Sequence, residues 1–491
     1  MDNAHTSLGG RTPPNRRAVL LGAMAALGAG VSLGGGALPA WAGPLVRAHA
    51  PRAKRCIFLF MFGGPSQMDL FDPKPELQRR HGSTVLLERR RNDKQSALLL
   101  GSKRTFARYG ETGQWCSDAL PRLSKHMDRL AVIKSLYTDS FAHGSGILQM
   151  NTGQTAPGHP SLGAWISYAL GADTTELPPF VVMHDPRGGP IAGPANWSSG
   201  YMPAEHQGTL FRSGASPVLD LLPAPSGSAQ SRLDAAMRRV QLDALIALDA
   251  EHARTRPGHG ELDARAKSYE LALRMQTSGP EALDLSQEDA RTLDAYGLFD
   301  RPGDHPLTLG PAPFGRQCLI ARRLLERGVR FVQIYQGGGH QQQSWDGHFG
   351  IEENLAIHCP EIDKPISALL EDLSQRGLLD ETLVVWGGEF GRMPTSQLAG
   401  AFQTANPDGR DHNPKGFTVW MAGAGVKPGS YGETDELGSE AVANRHHLRD
   451  FHATILQLMG LDHATTSYRF GGLDRRLTGV VEANPIRGVM A

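Results

Sequence analysis

The chain has 491 residues, and its 50 lysines and arginines are matched by 50 aspartates and glutamates, leaving no formal net charge at neutral pH. That length exceeds one minimal domain and suits one large α/β domain carrying insertions. The charge balance excludes the basic footprint of a nucleic-acid binder and any polyanionic tail.

Taken in chain order, residues 1–42 form a processing segment. Arg16-Arg17 precede a mildly apolar, Gly- and Ala-rich run from Ala18 to Leu38, and Ala40-Trp41-Ala42 offers a small-x-small cleavage site before Gly43. Paired arginines ahead of so weakly hydrophobic a run are the twin-arginine export signature. The expectation is a protein passed in folded form to the twin-arginine export machinery and delivered to the periplasm or the exterior. A membrane anchor is the competing reading, because the run is about long enough to span a bilayer. Its glycines and the cleavage site weigh against that, and no second stretch is apolar enough to cross. Export places Cys56, Cys116, Cys318 and Cys359 in an oxidising compartment. No CxxC spacing exists, which argues against a zinc-thiolate or redox site. Cys56 falls in an apolar strand, and one disulfide among the others stays open with no readable pairing.

From residue 43 onward, short apolar runs alternate with amphipathic helices. This is the pattern of a three-layer αβα sandwich, a mostly parallel sheet covered on both faces. The predicted strands are Cys56–Phe62, Leu130–Lys134, Phe180–Met183, Val329–Tyr335, Leu383–Trp386 and Phe417–Met421. Helices are predicted over Cys318–Arg327, Ile362–Arg376 and His447–Met459, each stopping at a glycine: Gly328, Gly377 and Gly460. Between about residues 226 and 296 the strand signal vanishes. Arg232–Arg254 and Leu262–Gln276 read instead as helices of an insertion packed on the main domain, serving as a structural cover or a lid. Asp185–Phe211, rich in Gly, Pro and Ser, reads as a long loop of the kind that lines sites.

Four polar clusters follow or precede predicted strands, where open α/β sheets collect their ligands. They are Gly63-Gly64-Pro65-Ser66-Gln67-Met68-Asp69; Gly337-Gly338-Gly339-His340 with Ser344-Trp345-Asp346-Gly347-His348; Gly387-Gly388-Glu389-Phe390-Gly391-Arg392; and Gly409-Arg410-Asp411-His412-Asn413. Asp346 and His348, one glycine apart, can turn toward one point from a non-helical loop, and His412 can supply a second imidazole. Two histidines and a carboxylate leave an open position on a hydrolytic divalent metal, Zn or Mn, with Ca a further option. Glu389 offers another carboxylate.

These stretches, with Thr152-Gly153-Gln154 and Asp450-Phe451-His452-Ala453-Thr454-Ile455-Leu456, resemble the family catalogued as domain of unknown function 1501. Those are secreted proteins placed in the alkaline phosphatase/sulfatase superfamily, and the resemblance runs from Cys56 to about Val481. It implies one metal position built from Asp346, His348 and His412, although the Asp-to-His spacing is shorter here than is usual. It implies a second position in which Glu389 replaces an aspartate, Phe390 stands where a histidine would be, and Asp69 reaches in because Gly63 and Gly64 occupy the place of the first carboxylate. Counting back from Thr152-Gly153 to the superfamily's nucleophile lands on His143, with Ser140 and Ser145 on either side. No Cys-x-Pro-x-Arg exists, so formylglycine chemistry is unsupported. An activated Ser140 or Ser145, direct attack by metal-activated water, and His143 as a third imidazole ligand all stay open. Arg392 and Lys415 are candidates for holding an anionic ester.

The expected function is thus an exported, metal-dependent hydrolase of phosphate or sulfate esters, acting on a small-molecule or glycan ester. Its rival is a catalytically impaired protein on the same fold that binds envelope glycans or a secreted partner.

Overall fold

The run Arg55–Met61 (β1) is apolar on both sides because both of its faces are covered, and it occupies the middle of a nine-stranded sheet. A computed structural model describes residues 50–90, 93–212, 228–254, 260–339, 341–397 and 406–491. The segment expected to direct export and His340 lie outside the described residues.

The other strands of the sheet are β2 (Leu130–Tyr137), β3 (Phe180–Met183), β4 (Thr209–Phe211), β5 (Phe331–Gln336), β6 (Thr382–Gly387), β7 (Phe417–Gly423), β8 (Gly429–Tyr431) and β9 (His446–His447). Their order is β8-β2-β7-β6-β1-β5-β3-β4, with β9 also pairing β2. Every pairing is parallel except those of β7, which runs antiparallel to both β6 and β2. The sheet is therefore mostly parallel, as the sequence suggested. Registers Met61↔Gln336 and Phe60↔Gly387 bring β1, β5 and β6 to their carboxyl ends almost level. The loops that follow them leave the sheet side by side.

Alternation along β1 feeds two cores. Ile57, Leu59 and Met61 join a cluster with α5 (Ala312–Glu326) and α6 (Ile351–Gln375). Cys56, Phe58 and Phe60 join another with α1 (His143–Thr152), α2 (Leu162–Leu170) and α7 (Leu448–Leu458). Helices thus cover both faces, giving three layers. Helix α6 begins eleven residues before the predicted Ile362 and runs through Pro360 and Pro365. An interior proline costs about 3 kcal/mol. Ile351, Leu355, Ile362, Ile366, Leu369 and Leu373 are all buried, and at about 1.5–3 kcal/mol each this outweighs that cost. The predicted C-terminal helix starts one residue late because His447 is its N-cap, paired with Asp450 in a capping box.

The stretch expected to be an insertion holds α3 (Ser228–Arg254) and α4 (Gly260–Leu283). Contacts divide the chain into two units. Helix α3 belongs to the smaller one, whereas α4 belongs to the unit that contains the sheet and touches α5 there. Cys56, Cys116, Cys318 and Cys359 are all buried free thiols. No helix among the described residues is long and apolar enough to cross a membrane.

Candidate metal centre

The loops after β1, β5 and β6, the start of α1, and a two-stranded ribbon (Gly391–Gln397 with Asn406–Asn413) meet at the carboxyl end of the sheet. The Trp345 N–H donates to the carbonyl of Phe62 at 2.8 Å, and the Arg410 N–H donates to the carbonyl of Gly347 at 3.0 Å. The Asp346-Gly347-His348 loop is thereby pinned between the end of β1 and the ribbon. Gly63 permits this approach. Its φ is +114°, and a Cβ there would lie 2.6 Å from the Asp346 nitrogen.

His143, Asp346, His348 and His412 each turn a ligand atom inward, and these four atoms lie within 4.8 Å of one another. Nε2 of His143, His348 and His412 stand 3.2, 3.0 and 3.1 Å from Oδ1 of Asp346. His348 and His412 meet Nε2 to Nε2 at 2.9 Å. In each ring the other nitrogen is held by an acceptor. His143 Nδ1–H donates to Glu389 at 2.6 Å, His348 Nδ1–H to Gln397 Oε1 at 2.8 Å, and His412 Nδ1–H to the carbonyl of Phe141 at 2.7 Å. With Nδ1 carrying the proton, each Nε2 presents a lone pair to the centre. With all three rings neutral, three lone pairs and a carboxylate oxygen so close together repel unless a cation lies among them, a metal ion or, without one, a proton on His143. Four ligands around one Zn at about 2 Å would themselves lie on the order of 3.3 Å apart. Nε2 of His143 is buried without a hydrogen-bond partner, which fits the same reading. The residues present suit a divalent metal.

The electrostatics follow from this packing. Burial lowers the His143 pKa, but the Asp346 and Glu389 carboxylates outweigh it and push the ring up to about 9. Burial drives His412 down to about 3, only partly opposed by Asp346, so that ring stays neutral. Burial acts to raise the carboxyl of Asp346, yet Arg392 and the three imidazoles hold it well below the usual carboxylate range. Phe390 packs at a tilt against His143 and His412, with ring centroids 5.1 and 4.4 Å away.

Glu389, fully buried, stands behind His143 and also accepts the Gly63 N–H at 3.1 Å. It holds the His143 ring in place and is not one of the four. Asp69 does not reach in from the loop after β1: it is fully buried in an ion pair with Arg410 at 2.8 Å and a hydrogen bond from Ser66. Arg392 is fully buried and directed inward. It donates to the carbonyls of Gly63, Gly64, Trp345 and Arg410 and, at 2.7 Å, to Asp346. Its fork is consumed by the loops that carry the ligands. Ser140 and Ser145 meet Oγ to Oγ at 2.5 Å across the start of α1, and Lys415 is exposed. Sequence reasoning passed over Gln397 and the Phe141 carbonyl, the acceptors that aim His348 and His412. Gln397 sits in a polar stretch with no strand signal, and a backbone carbonyl has no sequence signal at all. Calcium takes oxygen ligands, of which this cluster offers one carboxylate beside three imidazoles.

Fold and site together define a three-layer α/β protein with a His₃Asp metal-type centre at the carboxyl end of its sheet. The chain belongs to the family described as Protein of unknown function (DUF1501), whose sequence model matches residues 53–490. No curated protein matches it. Solved structures resemble it distantly. A mutant of TAB5 alkaline phosphatase with magnesium bound is 11% identical, covering 84% of this chain and 99% of that one at a TM-score of 0.35. The PsFucS1 sulfatase from Pseudoalteromonas sp. is 12% identical, with coverage of 98% and 78% and a TM-score of 0.34. The C-terminal periplasmic domain of EcEptC from Escherichia coli, in complex with Zn, is 9% identical, with coverage of 88% on both sides and a TM-score of 0.36.

Proposed function

We propose that the chain is an exported, metal-dependent hydrolase of phosphate or sulfate esters, with its metal held by His143, Asp346, His348 and His412. The observation that carries this is the convergence of three Nδ1-anchored imidazoles on one carboxylate oxygen. A donor set of three nitrogens and one oxygen suits Zn, with Mn next, and a divalent ion there supplies positive charge for an ester's developing negative charge. The side chains of His143 and His412 are each 13% exposed against 2% for His348, so the centre opens toward solvent on the His143/His412 side. Glu389 fixes the tautomer and direction of His143. Ser140 and Ser145, flanking His143 at the positive end of a ten-residue helix, are the hydroxyls best placed in sequence to act as a nucleophile. The reading also supposes delivery of the folded, metal-loaded chain to the periplasm or the exterior through the Arg16-Arg17 signal.

Three observations favour a second reading, a protein that binds an envelope glycan or a secreted partner without turnover. Phe390 packs against two of the imidazoles, Asp69 is committed to Arg410, and Arg392 is spent on backbone carbonyls. No second metal position and no substrate-facing arginine forms from these residues.

His412→Ala, purified in exported form, should fold and lose its metal by elemental analysis, and retained stoichiometry would remove the ligand assignment. A panel of aryl phosphates and sulfates with added Zn or Mn separates the two readings. Turnover that His412→Ala abolishes supports the hydrolase, and absent turnover with full metal occupancy favours the binder.

A further inference from the structure

A cavity lies at the carboxyl end of the same sheet, two strands beyond β1. It measures about 350 Å³ and is bounded by the final residues of β3 and β4, Met183 and Phe211, by Leu298, and by Ile320 with the first turn of α5. This volume is at the small end of the range for ligand sites, about 300–1,000 Å³. None of its lining residues belongs to the metal centre.

Two arginines, Arg212 and Arg316, line the same cavity and are exposed. Neither has a hydrogen-bond or ion-pair partner among the described residues. Other arginines of the same helix and the adjoining loop are neutralised: Arg322 and Arg323 by Glu288, and Arg187 by Asp185 and Glu361. Two uncompensated guanidiniums beside an apolar hollow, with the positive end of a fifteen-residue helix on one wall, match an anion that carries a hydrocarbon chain.

We propose that this cavity binds a single-chain amphipathic anion, an alkyl carboxylate, phosphate or sulfate. Its chain lies among Met183, Phe211, Leu298 and Ile320, and its head meets Arg212 and Arg316. This site goes beyond the ester-hydrolase reading and stands whether or not the metal centre turns over substrate.

The test is calorimetric titration of the full exported protein with dodecanoate, dodecyl phosphate and dodecanol, each below its critical micelle concentration. Both anions should bind at one per chain, and dodecanol should bind at least about tenfold more weakly. The double variant Arg212→Gln/Arg316→Gln should weaken both anions by about tenfold or more while leaving dodecanol unchanged. Ile320→Trp should block all three probes. Where that variant does not fold, Leu298→Trp, at a half-buried position, serves instead. Equal binding of dodecanol and the anions, binding indifferent to the arginine variants, or no saturable binding of any probe would each overturn the proposal.

Discussion

Replacing Arg392 by Met separates a group that faces substrate from one that holds the site together. Arg392 is fully buried, and its cationic partner role for Asp346, at 2.7 Å, is combined with hydrogen bonds to four backbone carbonyls. Removing one member of a buried ion pair costs about 3–5 kcal/mol, here at the lower end because the protonated His143 ring still lies 3.2 Å from Asp346. The carbonyls of Gly63, Gly64 and Arg410 lose a donor as well, at about 1–3 kcal/mol for any that water cannot reach. The expected loss is therefore about 4 kcal/mol or more, a large share of a stability of about 5–15 kcal/mol. Urea unfolding of the metal-free protein reads this as a fall in midpoint with an unchanged slope. Asp346→Asn in the same background should cost much less than it does alone, since the two residues act as a pair. A loss below about 1 kcal/mol for Arg392→Met, with metal affinity retained, would refute the reasoning and return Arg392 to the substrate.

Proton linkage gives a second test. The His143 ring, raised to about 9, is protonated at pH 7 in the metal-free protein, and a metal needs it neutral. Metal uptake should release about one proton, seen as a buffer-dependent heat, and affinity should rise by about tenfold per pH unit up to about pH 9. Affinity flat between pH 6 and 9 would contradict this. The same raised pKa stabilises the metal-free fold below about pH 6.5, and that contribution is lost as pH rises through about 9. Gly63→Ala should damage both stability and metal affinity, because its φ of +114° and a 2.6 Å approach to the Asp346 nitrogen leave no room for a methyl group. Gln397→Ala, which frees Nδ1 of His348, should weaken metal binding by about 10- to 100-fold while the fold persists, as measured by competition with a chromophoric chelator.

What the sequence determined by itself was the layered sheet and the location of the site. Cys56–Phe62 and Leu383–Trp386 are continuous apolar runs, which only a strand buried on both faces tolerates, and the polar Gly-rich motifs fall where those runs end. Asp346, His348 and His412 were legible as candidate ligands because several polar clusters fall together at successive strand ends, and the structure brings the three side chains together. The ambiguity at residues 140–145 was not resolvable there. Whether His143 or its flanking serines face the centre depends on the phase of a helix start, which spacing alone leaves free. Tertiary structure sets the His143 ring in the cluster with Glu389 behind it and pairs the two serines with each other. It likewise decided that Asp69 belongs to Arg410 and that Arg392 serves the loops. Buried charges take the partner that the fold places within about 3 Å, and nothing in a linear chain records which partner that will be.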